Sequence, residues 1–275
     1  MTKTIVILAA GMSSRMKKSI DSDIDDSKAD EANKKSKSLI TFGDKPFIYF
    51  LLKNIFKAGF ENVIMVVGKD FDDFKKQLDN LNFNNKLKID YAIQKIPKDR
   101  VKPFGTADAV FQTMDQIEIL KNSSFCVCNS DNLYSTNSLK TIRENAYENA
   151  VLAYDRDSLN FPKERVSSFS ILMTDDNFNL LNFIEKPTQE QVDQNLDSNG
   201  KIRVSMNIFK FNGLQAFDFI KNCPINPIRN EKELPSAIVN MINENDLYMK
   251  GIPIAEHVPD LTSKADINII QKFIE

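Results

Sequence analysis

Histidine is nearly absent from this chain, His257 being the one copy, so a histidine-based catalytic triad has no spare residue to draw on. Cysteine is scarce too: the three copies show no zinc-type pairing and fit a reducing, cytoplasmic setting. Cys126 and Cys128 stand two apart on a predicted strand and so share one face, as core residues would. Neither sign of charge dominates. A net charge of −2 gives no basic field of the kind that attracts nucleic acid. No apolar run approaches the ~20 residues of a membrane span. The first residues read as a strand, not as a basic segment leading into a signal-peptide core. No internal repeat and no linker between two cores is visible, so the 275 residues are expected to form one domain.

What the chain does have is a distinctive opening. Ile5 to Leu8 is a β-branched apolar run that reads as a strand buried on both faces. Ala9, Ala10, Gly11, Ser13 and Ser14 follow. Small residues let the backbone come close to a ligand, and Gly11 permits a positive φ. A tight loop at the carboxyl end of a parallel strand turns its N–H groups outward, which suits phosphate oxygens, and Arg15 adds a fork of donors. From these residues alone, an ordinary strand ending in a turn explains the pattern equally well.

The following segments alternate strand and helix. Residues 17–38 are polar, mixed in charge and poor in apolar anchors, and are expected to form a mobile insertion at about 17–36. Its acids from Asp21 to Asp26 lack the glycine and final glutamate of a calcium hand, which favours a solvated loop. Pro46 opens a helix running to about Ala58 and closed by Gly59. Strands are expected at 62–68, 88–94, 124–131 and 150–154, with helices at about 71–81, after Gly105 and at 136–148. That succession implies a parallel sheet with right-handed crossovers. Gln94 closes one strand; its amide can donate and accept, which suits a nucleobase edge, although a glutamine there is also commonplace. Gly105 opens a helix whose first N–H groups are free, and Thr106 could cap it. Asp131 ends a buried strand at the edge where open α/β sheets bind ligands, with Asn132 and Asp155 as weaker candidates. Farther on, 166–174 and 180–185 read as an antiparallel pair turned near Asp175. Residues 188–200 read as a loop, 203–211 and 248–258 as strands, and 214–222 and 234–243 as helices. Thr262 or Ser263 can cap a closing helix.

The opening Leu-Ala-Ala-Gly-Met-Ser-Ser-Arg-Met resembles the first motif of the sugar-phosphate nucleotidyltransferases, the nucleotide-sugar pyrophosphorylases. It departs at Ser13, where many members carry a second glycine. Further matches are Gly105-Thr-Ala-Asp-Ala, Phe183-Ile-Glu-Lys-Pro and Ser205-Met-Asn-Ile-Phe. The resemblance implies an α/β, Rossmann-like fold: a mixed, mainly parallel sheet flanked by helices, of the nucleotide-diphospho-sugar transferase type. It implies nucleotide contacts at Leu8, Ala9, Ala10, Gly11, Ser13, Gln94, Gly105 and Thr106. Arg15 and Lys37 would neutralise the triphosphate, with Lys34 and Lys35 as competitors for the lysine role. Lys186 would hold the sugar phosphate, and Glu185, Ser205 and Asn207 the sugar. Asn207 stands where glycine is usual, and Asn tolerates a left-handed φ. Asp131 and Asp260 would bind Mg2+.

The chemistry implied is direct transfer of a nucleotidyl group to a sugar 1-phosphate with release of pyrophosphate. The acceptor phosphate has a second pKa near ~6 and is largely dianionic at neutral pH, so no general base is required. What is needed is positive charge and in-line positioning. The partners expected are a nucleoside triphosphate and a sugar 1-phosphate, with a homo-oligomer allowed. Rival readings are a cytidylyltransferase for an alcohol phosphate, a metal-dependent glycosyltransferase, and a non-catalytic nucleotide-sensing subunit. Against the glycosyltransferase, Ser130-Asp131-Asn132 carries one acid where an Asp-x-Asp pair is usual.

Overall fold

Strands with apolar residues at every position need cover on both faces, and helices packed on both sides of a central sheet supply it. A computed structural model of the protein describes residues 1–19, 24–69, 71–81, 83, 86–244 and 247–274. The sheet strands are β1 (Thr4–Leu8), β2 (Asn62–Val67), β3 (Lys88–Ile93), β4 (Ser124–Asn129), β5 (Ala150–Asp155), β6 (Ile171–Thr174), β7 (Leu180–Ile184), β8 (Arg203–Asn212) and β9 (Lys250–Ile254). Their spatial order is β9-β5-β8-β4-β1-β2-β3, with β6 joined to β8 and β7 to β6. β1 pairs in parallel with β2 and β4, β2 with β3, and β9 with β5. β8 runs antiparallel to β4, β5 and β6, and β6 runs antiparallel to β7. The sheet is therefore mixed and mainly parallel around β1, and helices flank it.

The helices are α1 (Ser14–Lys18), α2 (Asp26–Lys34), α3 (Phe47–Lys57), α4 (Phe71–Asp79), α5 (Thr106–Gln116), α6 (Thr136–Glu144), α7 (Lys163–Val166), α8 (Gln189–Gln194), α9 (Gly213–Lys221), α10 (Leu234–Asn243) and α11 (Ala265–Ile274). Alternation along β1 divides the core. Ile5 and Ile7 face the layer containing α3, α4, α6 and α11; Val6 faces α5, α9 and α10. Each fully buried aliphatic side chain in these layers contributes about 1.5–3 kcal/mol. The exposed edge of β3 is closed by side chains: Gln116 exchanges hydrogen bonds with Ile93 at 2.9 and 3.0 Å, and Gln112 with Lys95 at 2.8 and 3.0 Å. Two glutamines one helical turn apart thus occupy backbone groups that an edge strand leaves open. Among the described residues no helix is long and apolar enough to cross a membrane.

Four local expectations change. The charged stretch contains α2, capped by Asp25, whose carboxylate accepts from Lys28 N at 2.9 Å. Ile24 and Ala32 are buried there, and Glu31 accepts from the Thr41 backbone N at 3.0 Å and hydroxyl at 2.6 Å. Residues 20–23, which include Asp21 and Asp23 of the acidic cluster, lie outside the described residues. The strand expected at 166–174 begins only at Ile171, and Val166 ends a short helix, Lys163–Val166, in which Lys163, Glu164 and Arg165 are straight-chain helix formers following Pro162 at the N-cap. Residues 189–194 are helical, not loop, because Thr188 and Gln191 form a capping box. Finally, Glu185 and Lys186 lie beyond the end of β7, and Lys186 has φ 46°.

Candidate active site

Three strands end together at the carboxyl edge of the sheet. Hydrogen bonds carry the ladder past each strand end: Ala9 N to Val66 O at 2.8 Å, Gln94 N to Val67 O at 2.8 Å, and Ser130 N to Leu8 O at 3.1 Å. The loops that follow enclose a cleft of about 360 Å³. Leu8, Ala9, Ala10, Gly11, Lys37, Gln94, Gly105, Thr106 and Asp131 all line it. Lys37 Nζ donates to the Asp131 carboxylate, both side chains being mostly buried. Lys34 and Lys35 instead pair with Asp30 and Glu31 of α2, each at 2.5 Å.

The two glycines of the cleft differ in what the backbone asks of them. Gly105 has φ 105°, and a Cβ there would fall 2.9 Å from the Lys232 carbonyl carbon and closer still to its oxygen. The neighbour is a hairpin formed by Ile225–Asn226 and Glu231–Lys232, whose Lys232 N donates to Phe104 O at 2.7 Å. Around Gly11, by contrast, a Cβ would meet nothing within 4 Å, and its φ is outside the left-handed region. The left-handed residue of that loop is Ser13, at φ 53°. Ser13 is buried and does not line the cleft; its hydroxyl accepts from Lys37 N at 3.1 Å and so anchors the lysine segment to the first loop.

Gln94 is buried at the cleft wall. Its Nε2 donates to Gly105 O at 3.1 Å and to Asp108 Oδ2 at 2.8 Å. Thr106 is not a cap for its own helix; its hydroxyl accepts from Leu234 N at 3.0 Å, at the start of α10.

Asp260 stands outside the cleft lining but beside Asp131. Asn132 and Asp260 form an antiparallel bridge, with Leu261 N to Asp131 O at 2.8 Å and Leu133 N to Pro259 O at 2.8 Å. Burial and the nearby Asp131 charge push the Asp260 carboxyl upward, while Arg165 and Lys37 oppose the shift. Two acids this close need cations. Lys37 serves Asp131, and Arg165 serves Asp260 at 2.7 Å. Among the described residues no group of three or more His, Cys, Asp or Glu gathers as a metal cage. Two carboxylates with no further protein ligand suit a hard cation that takes its remaining oxygens from phosphates and water.

The residues expected at the sugar are not among those that line this cleft. Glu185 is exposed and paired with Arg229 at 2.9 Å, and Arg229 also holds Glu233 at 2.5 Å. Lys186 is exposed. Ser205 and Asn207 lie at a bulge of β8; Asn207 has φ 56°, and Ser205 Oγ accepts from Asn207 N at 3.2 Å. Tyr134 ties this strand to the acid loop: its hydroxyl donates to Met206 O at 2.7 Å, with Asn132 Oδ1 3.4 Å away. Burial raises the Tyr134 phenol well above its ordinary range. Arg15 is exposed on α1, next to cleft residues Met12 and Ser14 but not itself in the lining. Ser13, Asp260, Glu185, Lys186, Ser205 and Asn207 are likewise outside it.

Several groups here escaped sequence reasoning. Lys102 and Glu231 both line the cleft and pair at 2.7 Å. Arg229, Tyr134 and Arg165 hold expected site residues without belonging to a recognisable motif. His257 is a packing residue: its Nδ1 accepts from Asn160 N at 3.1 Å, and its ring meets Phe161 at 4.8 Å. Burial, with Arg165 second, lowers its pKa.

Comparisons with known proteins bear on the family and the fold. A family model described as nucleotidyl transferase matches residues 32–253. The bifunctional protein GlmU of Staphylococcus saprophyticus is 22% identical over 268 residues, covering 98% of this chain and 50% of that protein. A glucose-1-phosphate thymidylyltransferase of Neisseria gonorrhoeae is 25% identical over 160 residues, covering 58% of this chain and 51% of that protein. The chain thus spans about half the length of these curated relatives. In fold it is similar to a crystal structure of UDP-glucose pyrophosphorylase complexed with UDP-glucose, with a TM-score of 0.68 and 15% identity, covering 100% of this chain and 98% of that one.

Proposed function

Because the chain belongs to the nucleotidyl transferase family, whose model matches residues 32–253, we propose that it joins a nucleoside triphosphate to a sugar 1-phosphate, giving a nucleotide sugar and pyrophosphate. The observation that carries this reading is the convergence of the small-residue loop Leu8–Gly11, Lys37, Gln94, Gly105 and Asp131 on one cleft. The names of the relatives support a sugar phosphate as the second substrate.

In this reading the triphosphate lies against the loop after β1, where backbone N–H groups and the side chains of Arg15 and Lys37 meet its charge. Gln94 and Gly105 face the base. Asp131 and Asp260 hold a divalent cation, taken as Mg2+, which neutralises charge on the polyphosphate when bound. The acceptor phosphate is already dianionic and needs no base; Lys186 steadies it, and Glu185, Ser205 and Asn207 receive the sugar. The remaining task for the protein is to hold two anions in line while pyrophosphate departs. Three unpaired, buried cysteines support a cytoplasmic protein. The whole chain acts as one domain, with the charged stretch at about 17–36 a passive insertion.

The test is pyrophosphate release from each nucleoside triphosphate against a panel of sugar 1-phosphates and alcohol phosphates. Release with a sugar 1-phosphate, lost in Asp131→Ala with the melting curve retained, supports the reading. Full activity in Asp131→Ala would remove the metal assignment, and turnover with alcohol phosphates alone would move the chain to the cytidylyltransferase reading.

A further inference from the structure

The two acids beside the cleft are held in unlike ways. Asp131 meets Lys37, one flexible side chain that itself lines the cleft. Asp260 meets Arg165, which is held by several groups at once. Arg165 Nη2 donates to Asp260 Oδ2 at 2.7 Å and to the Asp260 backbone carbonyl at 3.1 Å, while Nη1 donates to Asp266 Oδ1. Asp266 is in turn anchored at the start of α11, accepting from Thr262 N at 2.9 Å and Ser263 N at 2.6 Å. The guanidinium also lies over the Phe161 ring, 4.5 Å from its centroid. The Thr262 hydroxyl sits 2.9 and 2.8 Å from the two oxygens of Asp260. A planar fork engaged with two acids and a carbonyl has one geometry available to it, whereas a lysine ammonium is a point charge on a mobile stem. Arg165 therefore commits Oδ2 and the backbone of Asp260, and among the described residues the Oδ1 partner is the Thr262 hydroxyl.

We propose that Arg165 is a positioning residue for Asp260: it fixes that carboxylate beside Asp131, so that the pair presents a preset grip for a divalent cation, and it stays in place when the cation enters. The proposal rests on the reading of Asp131 and Asp260 as the cation's ligands. Its sign distinguishes it from a simple charge effect. A positive side chain next to a cation site repels the cation, so an arginine acting only through its charge would weaken binding, and its removal would tighten it. An arginine that sets orientation has the opposite signature.

The experiment is titration of the nucleotide-free full chain with Mn2+ alone, reading free Mn2+ by electron paramagnetic resonance. Wild type, Arg165→Ala, Arg165→Lys and Asp131→Asn are compared, each checked by its melting curve. Positioning predicts Mn2+ affinity about tenfold or more weaker in Arg165→Ala. Arg165→Lys should fall between, because one ammonium cannot span Asp260 and Asp266 together. Unchanged or tighter binding in Arg165→Ala, alongside weakened binding in Asp131→Asn, would overturn this inference alone. Wild-type binding in Asp131→Asn would overturn the acid-pair reading and the inference with it. If Arg165→Ala does not fold, Arg165→Lys and Arg165→Gln carry the same comparison.

Discussion

Substituting alanine at the two motif glycines should give opposite results, although the sequence presents them alike. At Gly105 the backbone has φ 105° and ψ −178°, a conformation close to glycine-only. Forcing a side chain into it costs about 1–3 kcal/mol. The new Cβ would also press on the Lys232 carbonyl, driving the hairpin off the loop. That strains two hydrogen bonds, Lys232 N to Phe104 O at 2.7 Å and Leu234 N to Thr106 Oγ1 at 3.0 Å. At about 1 kcal/mol each, the total destabilisation is roughly 3–5 kcal/mol. At Gly11 the space is open and φ is ordinary, so alanine should leave stability within about 1 kcal/mol, on the favourable side through the unfolded chain. Its cost should appear in nucleotide affinity, because Gly11 lines the cleft. Urea unfolding followed by circular dichroism measures the first effect, and isothermal titration with a non-hydrolysable triphosphate the second. A Gly105→Ala protein that unfolds with the wild type would refute the reasoning, as would a Gly11→Ala protein with normal affinity and a lost fold.

Three further outcomes are expected. Lys37→Met leaves the mostly buried Asp131 without its cation, so the variant should melt earlier than wild type in chelator and regain stability with Mg2+, while pyrophosphate release falls about 10²–10³-fold. Burial alone would raise the Glu256 pKa, but hydrogen bonds from Ser135, Ser138 and Asn137 outweigh it and hold the carboxyl below 4.5. Its stabilising share is therefore complete above that pH and lost as pH falls through the depressed value, so Glu256→Gln should flatten this part of the acid limb of a stability–pH curve. Cys126 is fully buried, with its thiol pushed up to about 12 by burial, and Cys128 and Cys223 are also buried and raised. A thiol-reactive disulfide reagent should find almost no reactive sulfur in the native protein and three in urea; rapid native labelling would contradict the packing.

Much of the sheet was legible because its strands are apolar: β1, β2, β4 and β5 fall where the residues suggested, and β6 and β7 pair antiparallel as expected, although β6 begins at Ile171 and not at Val166. Asn207 was legible too, because asparagine is a residue that accepts the left-handed φ it adopts. Failures came where elements are too short for periodicity. The two-residue strands of the 225–232 hairpin carry no pattern, yet they bring Glu231 to the cleft and Arg229 to Glu185. Helix α8 was missed although its Thr188–Gln191 capping signature is present. Arg165 was hidden because it sits on a four-residue helix too short to show a pattern, and nothing in sequence links α7 to Asp260, 95 positions away. Ser13 shows a subtler limit: a departure from the glycine pattern supplies a hydroxyl that fastens Lys37, which only the folded chain reveals. The meeting of Asp131 with Asp260 was expected from family resemblance alone, since no local rule pairs residues so far apart.

The central claim is that one polyphosphate is gripped between the loop after β1 and the acid pair. A crystal structure with Mn2+ and a non-hydrolysable nucleoside triphosphate tests it most directly, because Mn2+ can be placed by its anomalous signal. The account predicts a manganese peak between the carboxylates of Asp131 and Asp260, phosphates against Ala9 to Gly11, and Lys37 moved from Asp131 onto phosphate oxygens. Manganese and nucleotide bound elsewhere, with the Lys37–Asp131 pair intact, would contradict it.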